Sequence, residues 1–205
     1  MRLSPTGLEL DRRIRALSPL ERGNEMMKAS SALAALLSLT AGSALAQNTP
    51  TAQLPAQVTA LAGCWRGSGE VMGKPVTLTL SAKPVALGAM FLIETESQAK
   101  ADPADRYAAH LVVGAHAAKN GSPASLSGFW ADSFGGDYTA TGAGAVREDG
   151  FEITYPYPPA SFVNRWTLAG DRLDWRINAR EGDKDQPFAR YEATRVACPS
   201  TEKRG

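Results

Sequence analysis

Residues 161–180 read SFVNRWTLAGDRLDWRINAR, and their alternation decides the fold. In the first half Phe162, Asn164, Trp166 and Leu168 fall on one side, with Val163, Arg165 and Thr167 on the other. In the second, Leu173, Trp175, Ile177 and Ala179 oppose Asp174, Arg176, Asn178 and Arg180. Successive strand side chains point to opposite faces, so each half is a strand with one buried and one wet face. The Ala169-Gly170-Asp171 break is short and centred on glycine, as a hairpin turn requires. The two strands are therefore antiparallel neighbours.

The same alternation, broken by Gly, Pro, Asp or Asn, predicts strands near 64–72, 75–82, 88–97, 106–115, 124–131, 137–147, 150–155 and 187–197. No long stretch between 61 and 198 carries a helical period. A meander of about eight to ten short strands, with no helix to cover a sheet, either closes on itself or folds into two packed sheets. Closure removes the unpaired edges that invite aggregation. The fold class is thus all-β, a single antiparallel up-and-down barrel over residues 61–198. Two polar connections, QAKADPAD (98–105) and REGDKDQ (180–186), flank one mouth in this reading.

The first quarter of the chain reads differently. From Met26 it runs MMKASSALAALLSLTAGSALAQ: one lysine, a short apolar middle, then Ala44-Leu45-Ala46. That is the pattern of a cleaved secretory signal over 26–46. The apolar run falls short of the roughly 20 residues a membrane helix needs. Residues 1–25, with Arg12, Arg13 and Arg15, fit either an extended n-region or a start assigned too early. Residues 47–60 are Pro-, Gln- and Thr-rich and read as a flexible leader with a short helical turn around Val58 to Ala62; 199–205 is a tail. Removing residues 1–46 takes six of 22 Lys/Arg and four of 21 Asp/Glu, leaving 16 and 17. A near-neutral surface gives no electrostatic argument for nucleic acid or anionic lipid. No later stretch is long and apolar enough for a transmembrane helix, and the expected location is periplasmic or secreted.

Cys64 opens the first strand and Cys198 follows the last, and they are the two cysteines of the chain. An even count in a secreted protein points to a disulfide; the alternative is two unpaired buried thiols. A bond requires the two α carbons to lie within about 7 Å. In an open meander these residues would sit on opposite edges, so a bond favours the closed barrel.

The stretch GCWRGSGEVMGKPVTLTLSAKPVALGAMFLIE (63–94), with GFWADS (128–133) and PFARYEATR (187–195), resembles bacterial lipocalin-like proteins of the calycin superfamily. The G-x-W-x-G opening of strand one is similar to that of lipocalins, fatty-acid-binding proteins and nitrobindin-like barrels. The resemblance spans about residues 61–197 and implies an eight- or ten-stranded barrel with an internal cavity. It also implies that the first-strand tryptophan, here Trp65, packs at the closed end against an arginine from the end of the barrel. Ala189, Tyr191, Ala193 and Arg195 share a face by parity, which makes Arg195 the candidate partner, in a structural role.

Motifs for chemistry are sparse. His110 and His116 lack a nearby third ligand, so no metal site is read. A haem needs one axial ligand, for which His110 is the candidate; nitrobindin-like barrels take theirs from near the C-terminal end, where this chain has no histidine. SFGGD (133–137) lacks nucleophile-elbow spacing, and TGAGA (141–145) lacks the lysine of a phosphate loop. Strand glycines here mark bends or bulges. Glu94 and Glu96 share a face, read as a solvated exterior. Asp132, in WADS, is the carboxylate that stands out, and a turn or capping role already explains it.

What remains is an aromatic interior. Trp130, Tyr155, Trp166, Trp175 and Tyr191 lie on apolar faces, with Asn164 the one amide among them. They are the candidate ligand-binding residues, since binding cavities join an apolar lining to a few polar groups. Plain core packing explains them equally well, because a small barrel either fills its interior or leaves room for one ligand. The expected function is binding of a small apolar or amphipathic molecule without catalysis, with no cofactor. The alternatives are an isomerase or hydrolase on the same scaffold, or an interaction module of the envelope.

Overall fold

Each strand predicted by alternation has its apolar face turned toward one shared interior. The computed structural model describes residues 52–117 and 125–199. The readings of 1–25, 26–46 and nearly all of the 199–205 tail lie outside these residues. A short helix, α1 (Ala56–Thr59), precedes ten strands: β1 (Gly63–Val71), β2 (Lys74–Val85), β3 (Met90–Ala99), β4 (Arg106–Ala115), β5 (Ser125–Asp132), β6 (Ala140–Arg147), β7 (Gly150–Tyr157), β8 (Ala160–Ala169), β9 (Arg172–Glu181) and β10 (Lys184–Val196). Every strand pairs with its sequence neighbours, and β1 pairs with β10, giving a closed antiparallel up-and-down barrel. No described helix is long and apolar enough to cross a membrane.

The hairpin expected over 161–180 is β8–β9, in which Trp166 faces Trp175 and Ala169 faces Arg172 across a turn at Gly170-Asp171. The closing seam pairs eight residues of β1 with β10, from Cys64↔Val196 to Val71↔Ala189. Cys64 and Cys198 are bonded just beyond its end, with α carbons 5.1 Å apart. First and last strands are therefore joined by both a hydrogen-bonded ladder and a covalent link.

Three local readings change. REGDKDQ is no long connection: β9 runs to Glu181 and β10 begins at Lys184, because Gly182 takes the left-handed conformation (φ 57°) that a tight turn requires. β6 starts at Ala140 instead of 137, since Gly136–Tyr138 form a 3-10 turn. Gly128 and Gly142 are not bends. They are paired neighbours on β5 and β6, and Tyr155 lies across both: a Cβ on Gly142 would stand 2.7 Å from its ring, and one on Gly128 would collide with its hydroxyl.

Candidate functional site

The two ends of the barrel differ. Where β1 begins, α1 crosses the opening and reaches β6 and β7 on the opposite wall, burying Val58 and Leu61. Trp65 sits beneath it, 1% exposed, its Nε1 donating to the Leu61 carbonyl at 2.8 Å. Arg195, its partner across the seam, places its guanidinium 4.2 Å from the ring centroid. The same guanidinium donates to the carbonyls of Ala62 and Ala60 and to Asp171. This end is sealed.

Above the seal, rings fill the interior. Phe151 stacks on Trp166 (centroids 4.6 Å apart), and Trp166 stacks on Trp175 (5.6 Å). Trp175 meets Tyr191 at 5.0 Å and Trp130 at 6.3 Å, and Trp130 meets Tyr155 edge-on at 5.3 Å. Asn164 Oδ1 accepts the Trp175 Nε1–H at 3.0 Å. The six residues expected to line a cavity are thus brought together, packed on one another. Two buried polar atoms, Tyr155 Oη and Trp166 Nε1, have no partner among the described residues. Two open hollows among the described residues lie at the outer wall. One, of about 580 Å³, is lined by charged residues such as Arg165 and Arg176; the other, of about 250 Å³, is lined by Ala108, Ala109 and His110 of β4 and by Ala131, Asp132 and Ser133. None of the six lines either.

Exposure rises toward the opposite end. It is nil at Phe151, Ile153 and Trp166, and reaches 8% at Trp130 and Ser97. Above them stands a collar that the alternation argument did not single out. Phe188 meets Phe162 at 4.8 Å, Phe162 meets Tyr157 at 5.5 Å, and Tyr157 donates its hydroxyl to the Tyr138 carbonyl at 2.6 Å. Tyr138 meets Phe134 at 5.8 Å, and Phe134 meets Tyr107 at 5.5 Å. Six aromatic residues thus form a continuous chain from β10 round to β4. Phe134 is 69% and Tyr138 52% exposed.

Asp132 is the polar centre of this collar. By parity with Trp130 it points inward at the end of β5, half-buried. Its Oδ2 accepts from Tyr107 Oη (3.0 Å) and Trp130 Nε1 (3.1 Å), and its Oδ1 accepts from the Phe134 backbone N–H (2.9 Å). The last bond fixes the start of the connection that presents Phe134 and Tyr138. Asp132 therefore does cap a turn, as expected, and also holds two ring polar groups in place.

Four phenols are held above their ordinary value of 10, in each case chiefly by burial: Tyr107, Tyr155, Tyr157 and Tyr191. The Asp132 charge adds to this at Tyr107 and Tyr157, while a hydrogen bond with Ser97 partly offsets it at Tyr191. A raised folded value means stability that is complete below the unfolded value and lost as pH climbs above it. Urea midpoints are therefore expected to hold up to about pH 9 and fall steadily above pH 10. The folded phenols should titrate late, with a jump in phenolate absorbance on unfolding. Titration of every tyrosine near pH 10 without loss of structure would contradict this.

The remaining candidates lie outside. His110 projects from the outer wall with Nε2 3.7 Å from Glu94 Oε1, and His116 meets Ser127 Oγ at 2.6 Å. Burial pushes the Glu94 carboxyl up, but Lys83, Ser81 and His110 together bring it below the ordinary value; Glu96 pairs with Arg106 at 2.9 Å. No group of three or more His, Cys, Asp or Glu suited to a metal occurs among the described residues.

No family model and no curated protein matches the chain. Among solved structures, it is similar to the S-type phycobiliprotein lyase CPES from Guillardia theta, at 17% identity and a TM-score of 0.44. The match covers 68% of this chain and 89% of that one. A likeness at this level bears on neither ligand nor activity.

Proposed function

We propose that this chain is a secreted or periplasmic lipocalin-like binding protein that holds a small apolar or amphipathic molecule at its aromatic collar, without turning it over. The observation that carries the reading is the pair of exposed rings, Phe134 and Tyr138, held over the open end of an otherwise sealed barrel. Exposed aromatic surface costs solubility and is retained where something covers it. The interior rings Trp130, Trp175 and Tyr191 serve as the floor of the site, because their mutual stacking leaves the collar as the place where apolar surface is still available. The signal-like segment at 26–46 and a bond between Cys64 and Cys198 both suit an oxidising compartment. Among the described residues no nucleophile, base and orienting group converge at the collar, which favours binding over catalysis.

The test is titration with N-phenyl-1-naphthylamine, a neutral apolar fluorophore, against the natural chain and a Phe134→Ser/Tyr138→Ser variant. Removing two rings of contact area is expected to weaken binding by at least about tenfold, with the urea midpoint unchanged. Native mass spectrometry of protein taken from its own envelope should show a bound small molecule that organic extraction removes. Equal dye affinity in the two proteins would sink the reading.

A further inference from the structure

We propose that the group seated in the collar is an alkylated ammonium, so that the ligand is a cationic amphiphile. The inference rests on the reading of the collar as the ligand site. Three neutral donors, the Tyr107 hydroxyl, the Trp130 indole and the Phe134 backbone N–H, hold the Asp132 carboxylate. It enters none of the ion pairs formed among the described residues. Its hydrogen bonds are supplied and its charge is not balanced.

Phe134, Tyr138, Tyr107 and Tyr157 make up the adjoining collar, and aromatic ring faces carry the negative side of a quadrupole. Cations seated against such faces are attracted, most strongly where water is excluded. An anion or a neutral polar head gains nothing from either feature. A primary amine needs acceptors for its three N–H groups, and three donors leave the carboxylate only about one of its roughly four lone-pair sites. An alkylated ammonium has no N–H to satisfy and presents methyl groups to the rings, so it suits both the charge and the lining. The connections at this end carry Lys100 against Asp102, Asp105, Asp137 and Asp183, with Asp105 paired to Lys74.

The experiment compares decyltrimethylammonium, decyl maltoside and decyl sulfate, each below its micelle concentration, by calorimetry and tryptophan fluorescence. The cation is expected to bind about tenfold more tightly than the other two. Phe134→Leu and Tyr138→Leu keep an exposed apolar side chain and remove the ring, so neither threatens the fold. They should weaken the cation about fivefold and leave decyl maltoside within about twofold. Asp132→Asn should bring the cation down to the affinity of the neutral chain. Equal binding of all three amphiphiles, or leucine variants that weaken the maltoside as much as the cation, would overturn the cationic reading and leave the collar as a ligand site. Binding of none of the three would overturn the ligand site itself.

Discussion

Replacing Cys64 and Cys198 by serine is expected to lower the stability of the barrel by about 5 kcal/mol at 25 °C, as read by urea unfolding. The bond spans 134 residues of sequence, nearly the whole barrel, and in the chain-entropy model the constraint on the unfolded chain grows with the loop it closes. Packing losses should add little, because Cys198 is exposed and Cys64 half-buried. The ladder between β1 and β10 needs no sulfur, so the folded state should remain a closed barrel, with near-native circular dichroism in the absence of urea. For a domain of this size the loss corresponds to a fall in Tm on the order of 10–20 °C. Since single domains hold about 5–15 kcal/mol in all, a reduced chain sits near the edge of folding. A loss below about 1 kcal/mol would mean that the unfolded chain already keeps its ends together.

The same seam shows how far the sequence could be read. Alternation assigns a face, and that was enough to pair β8 with β9 and to require that Cys64 and Cys198 meet if the chain closes; that Trp65 meets an arginine came from the lipocalin-like resemblance, and parity only picked out Arg195. It fails wherever the period breaks. Phe188 is the extra residue of a bulge, since Pro187 pairs with Asn178 and Ala189 with Ile177; a bulge re-aims a side chain, and here the ring joins the collar. Phe134 and Tyr138 stand in a connection, where period-two parity has no meaning. Their signal was the aromatic content of SFGGDY next to a carboxylate, which reads as an ordinary turn.

Depth was less legible than face. Trp130, Trp166 and Trp175 were all placed inward, but alternation is silent on whether neighbouring rings stack or stand apart. That depends on side-chain rotamers and on distant spacing such as the Gly128–Gly142 pair beneath Tyr155. Phe162 was placed on the apolar face by the same parity, Tyr157 lay beyond the strand read at 150–155, and Tyr107 was given no face. Nothing in the sequence distinguished them from deeper rings, because the strand ends that place them at the mouth were set by turns.

Trp65→Ala should cost about 3–5 kcal/mol, comparable to losing the disulfide but by a different route. The ring is fully buried, so its removal leaves a cavity that the rigid β1–β10 seam can collapse only in part. It also strands the Leu61 carbonyl that its Nε1 bonds and takes the aromatic face from beneath Arg195. Loss of the disulfide acts on the unfolded chain, whereas this substitution acts on the folded one. Amide exchange should therefore speed up first around α1 and the start of β1, ahead of global opening. A double-mutant cycle with Arg195→Gln isolates the contact itself, and a coupling of about 1 kcal/mol is expected for a partly desolvated cation over an indole. Zero coupling would make Arg195 a partner of Asp171 and the Ala60 and Ala62 carbonyls without the ring, and would reduce Trp65 to a plug whose neighbours are interchangeable.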